Sequence, residues 1–206
     1  MRLFYSVGSP YARVVRIALL ETGLDGRVNK IEVPRARLYS SESEVLTINP
    51  TGRVPTLELD GGAVLTESQL ILNYLNAVSP SSGLLPCDGS DGWQTLAEMG
   101  QAWGLLDSIV AWVRARQPPE SPHTKAIVER ESTRAIRVAD ALEISVSKNG
   151  YSGRLHAAHI VLGAGLGLIE ARLPVWAWRD GRPCLSAWFE TISVRQSFRS
   201  TAPPPL

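Results

Sequence analysis

Hydrophobic and polar positions change their period once along this chain. Up to about residue 78 strand-like and helix-like runs alternate; beyond about residue 93 the runs are helix-like only. RLFYS at 2–6 reads as a strand. Residues 10–23 place Val14, Ile17 and Ala18 on one row with Val15, Leu19 and Leu20 beside it, which predicts a helix stopped by Gly23. RVNKIEV at 27–33 alternates with period two and ends at Pro34. Residues 35–48 are polar and irregular, with room for a short helix. TLEL and AVL flank Asp60-Gly61-Gly62, a hairpin signal. A second long helix is expected from Glu67 to Val78, with Thr66 and Gln69 spaced as a capping box. The order is β-α-β-(α)-β-β-α. A helical crossover makes the first two strands parallel, and the hairpin adds an antiparallel edge.

SPSSGLLPCDGSDG at 79–92 is dense in Pro, Gly and Ser and reads as a linker. Beyond it, helices are expected at about 93–116, 122–148, 156–172 and 184–193. Pro118-Pro119, Lys148-Asn149-Gly150 and Leu173-Pro174 separate them, and the tail TAPPPL is expected to be extended. The chain thus divides into an α/β domain at 1–79, a linker at 80–92 and an all-helical domain at 93–206.

Composition narrows the classes. Lys and Arg total 21 against 20 Asp and Glu, a net charge of +1, which argues against a nucleic-acid binder or a polybasic membrane binder. The two cysteines, Cys87 and Cys184, lie far apart and read as reduced thiols of a cytoplasmic protein. No signal peptide is expected, because Arg2 leads into a strand pattern. The longest apolar run, 157–169, contains His159 and falls short of the roughly 20 residues that span a bilayer, so a soluble protein is expected.

Three patterns resemble sites. Gly163, Gly165 and Gly167 spell a phosphate-loop fragment, but no strand precedes them; small residues that let helices approach closely explain them better. His156 and His159 have ligand-like spacing without a third ligand nearby, which favours polar residues in a helix's first turn and no metal. Trp103, Leu106, Val110 and Val113 form a helical stripe, mostly core, of which one or two members could face a cleft.

The stretch NPTGRVPTLELDGGAVLTESQ, 49–69, carries the chemistry. Glu67 and Ser68 open a helix, where unpaired N–H groups and the dipole favour a carboxylate, while the Glu67 carboxylate suits an ammonium. Side by side they would hold an amino-acid head group; alternatively Glu67 is an ordinary first-turn anion. Val54-Pro55 begins a strand. A cis bond there would turn the Val54 N–H and C=O outward to meet a peptide backbone; the alternative is a trans proline at a sheet edge.

N-P-x-G-x-V-P, a short hairpin and Glu-Ser opening a helix together resemble the glutathione transferase superfamily. GSPYARVVRIAL after the first strand resembles its catalytic loop and first helix, and WRDGRPCLSAWFETISVRQSFRSTAPPPL resembles the last helix and tail of bacterial-type members. The match spans nearly the whole chain. It implies a thioredoxin-like α/β N-terminal domain, an all-α C-terminal domain, a cis Val54-Pro55 bond and a homodimer. One departure concerns the sixth helix, which the family opens with Ser or Thr and, three residues on, Asp; here the matching positions are His156 and His159. A weaker cap should cost stability, on the scale of about 1 kcal/mol.

The resemblance further implies glutathione as co-substrate, with no separate cofactor. Val54 would pair with its cysteinyl backbone, Glu67 and Ser68 would hold its γ-glutamyl end, and Arg53 would reach one of its carboxylates. Tyr5, Ser6 and Ser9 compete to activate the thiol. Ser9, in Gly8-Ser9-Pro10, matches the serine-type branch, and the absence of a cysteine there argues against thiol exchange. The second substrate is expected to be a small hydrophobic electrophile between Tyr11 and the first C-terminal helix, near Trp103, Leu106 and Asp107. Peroxidase, isomerase or dehalogenase chemistry on the same site is a rival, as is a non-catalytic binding protein with this fold.

Overall fold

The computed structural model describes residues 1–85, 89–117 and 119–204. Four strands, β1 (Arg2–Tyr5), β2 (Asn29–Glu32), β3 (Thr56–Glu58) and β4 (Val64–Leu65), form one sheet in the order β2-β1-β3-β4. β1 and β2 run parallel, with Arg2 opposite Asn29 and Tyr5 opposite Glu32. The β1–β3 and β3–β4 pairs are antiparallel, as the hairpin requires. Helix α1 (Pro10–Glu21) is the crossover, and its Val14, Val15, Ile17 and Leu19 are fully buried with Leu3 and Leu57 of the sheet. The irregular stretch contains α2 (Arg35–Leu38) and a tight helical turn at Glu44–Thr47. Helix α3 (Ser68–Val78) packs against α1.

The start of α3 corrects the sequence expectation. Glu67, with φ −112° and ψ 137°, is the N-cap, and its carbonyl accepts from the Ile71 N–H at 3.0 Å. No side chain caps this end, so Thr66 and Gln69 form no capping box. The helix begins one residue later than expected. Gln69 then falls at the second helical position, where it cannot make the reciprocal bond that the third position makes.

The second half contains α4 (Gly89–Ala115), α5 (Pro122–Ser147), α6 (Ala157–Arg172), α7 (Pro183–Ser193) and α8 (Gln196–Ser200). Helix α4 begins inside the stretch expected as linker. Cys87 lies outside the described residues, and Cys184 is free. Helix α8 was not expected, because five residues are too few to establish a period. Helix α6 is the centre of this half, buried without interruption from Ala157 to Leu166 and packed on α4, α1 and α7. Its glycines serve packing, as expected. A Cβ on Gly163 would lie 2.5 Å from Phe198 Cε1, and one on Gly167 would lie 2.6 Å from Arg13 Nη1. Among the described residues, no helix is long and apolar enough to cross a membrane.

Arg13 joins the two halves from inside. It is 5% exposed, and its guanidinium donates to the carbonyls of Ala164 at 3.5 Å and Phe198 at 3.2 Å. Burial, and secondarily the charge of Arg16, lower its pKa to about 10, so it remains a cation at neutral pH. At the surface, Arg195 donates to both carboxylate oxygens of Glu21, at 3.0 and 2.7 Å.

His156 and His159 open α6 as the N-cap and third helical residue. The His156 N–H donates to His159 Nδ1 at 3.3 Å, so Nε2 of His159 carries the proton and donates to the Tyr151 carbonyl at 2.9 Å. His159 therefore supplies one bond of a capping box, in the place where the resemblance implies an Asp. Burial lowers both imidazole pKa values to about 4, with the neighbouring His156 adding to the effect on His159. Among the described residues, no three His, Cys, Asp or Glu side chains group as metal ligands.

Candidate active site

A cleft of about 870 Å³ runs between the α/β half and the helices α4 and α6. Ser9 lines it. It is the N-cap of α1, with φ −85° and ψ 115°, and Pro10 follows in the first helical turn. Its N–H donates to the Ser6 carbonyl at 3.0 Å, which closes the loop between β1 and α1. Its Oγ accepts from the Ala12 N–H at 3.2 Å. That capping bond uses a lone pair of the hydroxyl and leaves its proton free to donate into the cleft.

The second wall segment is main chain. The Val54-Pro55 bond is cis. Among the described residues, neither the N–H nor the C=O of Val54 is hydrogen-bonded, and both residues line the cleft. The loop that presents them is held by Asn49, which is fully buried. Its amide donates to the Arg53 carbonyl at 3.2 Å and to Thr56 Oγ1 at 2.8 Å, and its Oδ1 accepts from the Thr51 N–H and hydroxyl at 2.9 and 2.8 Å. Asn49 was quoted in the motif but given no role by its sequence; its four bonds carry the loop's shape.

The third segment is the start of α3. The Ser68 N–H is a first-turn donor with no helical carbonyl in reach. The Ser68 hydroxyl donates to the Tyr11 carbonyl at 3.3 Å, so its proton is committed locally and the main-chain N–H is the donor left unpaired among the described residues. The Glu67 carboxylate is exposed and has no cation partner among the described residues. Arg53 is exposed at the same rim.

Across the cleft, the Tyr11 hydroxyl donates to Asp107 on α4 at 2.6 Å. Burial raises the Tyr11 pKa first, and the bond to Asp107 and its charge raise it further; the charges of Arg114 and Arg53 oppose this. Tyr11 therefore stays a phenol, and its bond to Asp107 ties α1 to α4 across the cleft. Tyr5 lies elsewhere, with its ring under the Arg16 guanidinium at 4.7 Å, and does not line the cleft.

Residues 8–78 match the glutathione S-transferase N-terminal domain. A glutathione S-transferase from Methylobacillus flagellatus KT, solved with glutathione bound, is 30% identical, with 98% of this chain and 99% of that one covered and a TM-score of 0.88. This chain belongs to the glutathione transferase superfamily. A second member, from Pseudomonas fluorescens Pf-5 with bound S-(propanoic acid)-glutathione, is 31% identical over 99% of this chain and all of its own, with a TM-score of 0.84. The GST-like protein YibF of Escherichia coli K12 is 27% identical over 99% of both chains.

This transferase-superfamily cleft brings Ser9, Tyr11, Arg53, Val54, Glu67, Ser68 and Asp107 together. It excludes two expected residues. Trp103 is 7% exposed and stacks behind Tyr11, with ring centroids 6.1 Å apart and planes at 14°. Leu106 is fully buried and faces Gly165 of α6. Neither lines the cleft. The face of α4 that does so carries Asp107, Val110, Val113 and Arg114, the turn that follows it adds Arg116 and Gln117, and α6 adds Leu168 and Arg172. The spacing 107, 110, 114, 117 is helical and was visible in the sequence. Its mixture of charge and valine made it look like an ordinary solvated face.

Proposed function

We propose that this chain binds glutathione in the cleft and transfers it to an electrophile. One observation carries the reading: a hydroxyl with a free proton, an unpaired main-chain segment and an unpaired helix start face the same space. The Val54 N–H and C=O would pair with the cysteinyl backbone. The Ser68 N–H would take the γ-glutamyl carboxylate, Glu67 the ammonium beside it, and Arg53 a carboxylate. Ser9 would then sit under the sulfur.

The energetics are sufficient. A thiol titrates near 8.5, and lowering it by about two units takes about 2.7 kcal/mol. A hydroxyl donating to the thiolate contributes about 1.5–3 kcal/mol. The N-terminus of α1 adds about 0.3–1 kcal/mol. The ionised sulfur would attack a small hydrophobic electrophile lying on Val110, Val113 and Leu168. The Pseudomonas fluorescens relative, whose ligand carries a propanoic acid on glutathione, supports a site with room beyond the sulfur.

We further propose a homodimer in a reducing, cytoplasmic setting. Apolar side chains of both halves are left exposed, including Leu70 of α3 and Trp93 and Leu96 of α4. Sedimentation should give twice the chain mass of 22.4 kDa. The test of function is calorimetry with glutathione, followed by the rate of glutathione addition to a chromogenic aryl halide. Micromolar-to-millimolar binding with a rate above the uncatalysed one is expected. Binding without rate enhancement would leave a glutathione-binding protein that is no transferase.

A further inference from the structure

The cleft is far more cationic than glutathione requires. Five arginines line it, Arg35, Arg53, Arg114, Arg116 and Arg172, against two carboxylates, Glu67 and Asp107. Asp107 is already engaged by Tyr11. Among the described residues, none of the five arginines is ion-paired. Two are tied to neutral groups: Arg35 donates to Gln117 Oε1 at 3.0 Å, and Arg172 to the carbonyls of Ala171 and Pro204, each at 2.9 Å. The other three guanidinium groups make no hydrogen bond within the described residues. The chain as a whole has a net charge of +1, so this concentration is local.

Glutathione has two carboxylates and one ammonium. Arg53 and the α3 start, on the α/β wall, are placed to satisfy them. Arg114 and Arg116 stand on the opposite wall and have no ion-pair partner among the described residues. Their position along α4 is specific. Asp107 meets Tyr11 beside the Ser9 loop, Val110 follows one turn on, and Arg114 lies two turns on, about 10 Å along the axis at 1.5 Å per residue. A molecule lying along α4 from the sulfur would meet valine first and guanidinium last.

We propose that the electrophile has an apolar body ending in a carboxylate, held by Arg114 with Arg116 beside it. This rests on the assignment of glutathione to the cleft. The bidentate fork of arginine suits a carboxylate, and Arg114, exposed and without an ion-pair or hydrogen-bond partner among the described residues, has its donors available for one. With an aryl halide acid such as 4-chloro-3-nitrobenzoate, the thiolate sulfur bonds to the ring carbon and chloride leaves with the C–Cl electron pair. The carboxylate is unchanged and acts only as the anchor.

The test compares glutathione, S-hexylglutathione and S-(5-carboxypentyl)glutathione by calorimetry on the intact protein at low and high salt. The conjugate with the terminal carboxylate should bind about tenfold more tightly than the hexyl conjugate, and the difference should shrink at high salt. Arg114→Gln, and more completely Arg114→Gln with Arg116→Gln, should erase the difference while affinity for glutathione stays within twofold. In the rate assay, 4-chloro-3-nitrobenzoate should exceed its methyl ester in kcat/KM once each is divided by its uncatalysed rate. Equal affinity of the two conjugates would overturn the proposal while leaving glutathione binding intact. Loss of affinity for glutathione itself in Arg114→Gln would reassign that arginine to glutathione and overturn it too. No binding of any of the three would overturn both assignments together.

Discussion

The two walls of the cleft are built from different materials. The α/β wall is largely main chain and short polar side chains, the Ser9 cap, the cis Val54-Pro55 turn and the Glu67–Ser68 helix start, with Arg35, Leu38, Tyr39 and Arg53 beside them. The helical wall is side chains projecting from α4 and α6, with Val110, Val113 and Leu168 beside Arg114 and Arg172. A main-chain wall suits a ligand that is itself a peptide, because its donors and acceptors have fixed spacing. A side-chain wall can change with a single substitution and leave the backbone in place. Under the proposed function, the contrast would give recognition of glutathione to one wall and selection of the electrophile to the other.

The strongest way to break that contrast is to collapse the main-chain wall. Asn49→Ala removes four hydrogen bonds inside a buried loop. Unsatisfied buried groups cost about 1–3 kcal/mol each, so a loss of about 2–4 kcal/mol in urea unfolding is expected, with glutathione binding lost as well. A loss below 1 kcal/mol would show that the loop holds itself without Asn49.

Next in size is Ser9→Ala. Affinity rests on the peptide contacts, so binding should change little. The bound thiol should rise by one to two pKa units, about 1.4–2.7 kcal/mol, and the rate at neutral pH should fall about 10- to 100-fold. Activity should partly return at alkaline pH. Titration of thiolate ultraviolet absorbance reads the shift directly, and overlapping curves for variant and parent would reduce Ser9 to a helix cap.

Glu67→Ala should weaken glutathione by about tenfold, or about 1.4 kcal/mol, by leaving the ammonium without its anion. Calorimetry showing unchanged affinity would move the head group elsewhere. A rate loss much larger than the affinity loss would likewise contradict a purely binding role.

The last effect lies outside the cleft, in the support of the helical wall. His156 and His159 have their pKa values lowered to about 4 in the folded chain, against about 6.5 when unfolded. Between those values the unfolded chain binds more protons. Stability is therefore full above about pH 6.5 and falls as pH drops towards 4. The double variant His156→Ser, His159→Asp should flatten that slope in urea unfolding at pH 7.5 and 5. The same slope in variant and parent would place its origin in other groups.

The sequence determined most of one wall. Pro, Gly and Ser at set spacings specify backbone conformations that few other residues adopt, so NPTGRVP, the Asp60-Gly61-Gly62 hairpin and Gly8-Ser9-Pro10 were legible as local structure. Periodicity likewise showed the succession of strands and the long helices, because burial on one face imprints a repeat. The other wall was decided only in three dimensions. Trp103, Leu106, Val110 and Val113 share one stripe, yet Trp103 packs behind Tyr11, Leu106 faces α6, and the two valines open to the cleft. Asn49 gained its role when the loop closed around it, and Arg114 its place in the cleft when α4 was set against α1 and α6. Local sequence encodes the backbone, because torsional preference is a property of each residue. Which side of a helix becomes a binding surface depends on its rotation against distant neighbours, and no residue in the helix carries that information alone.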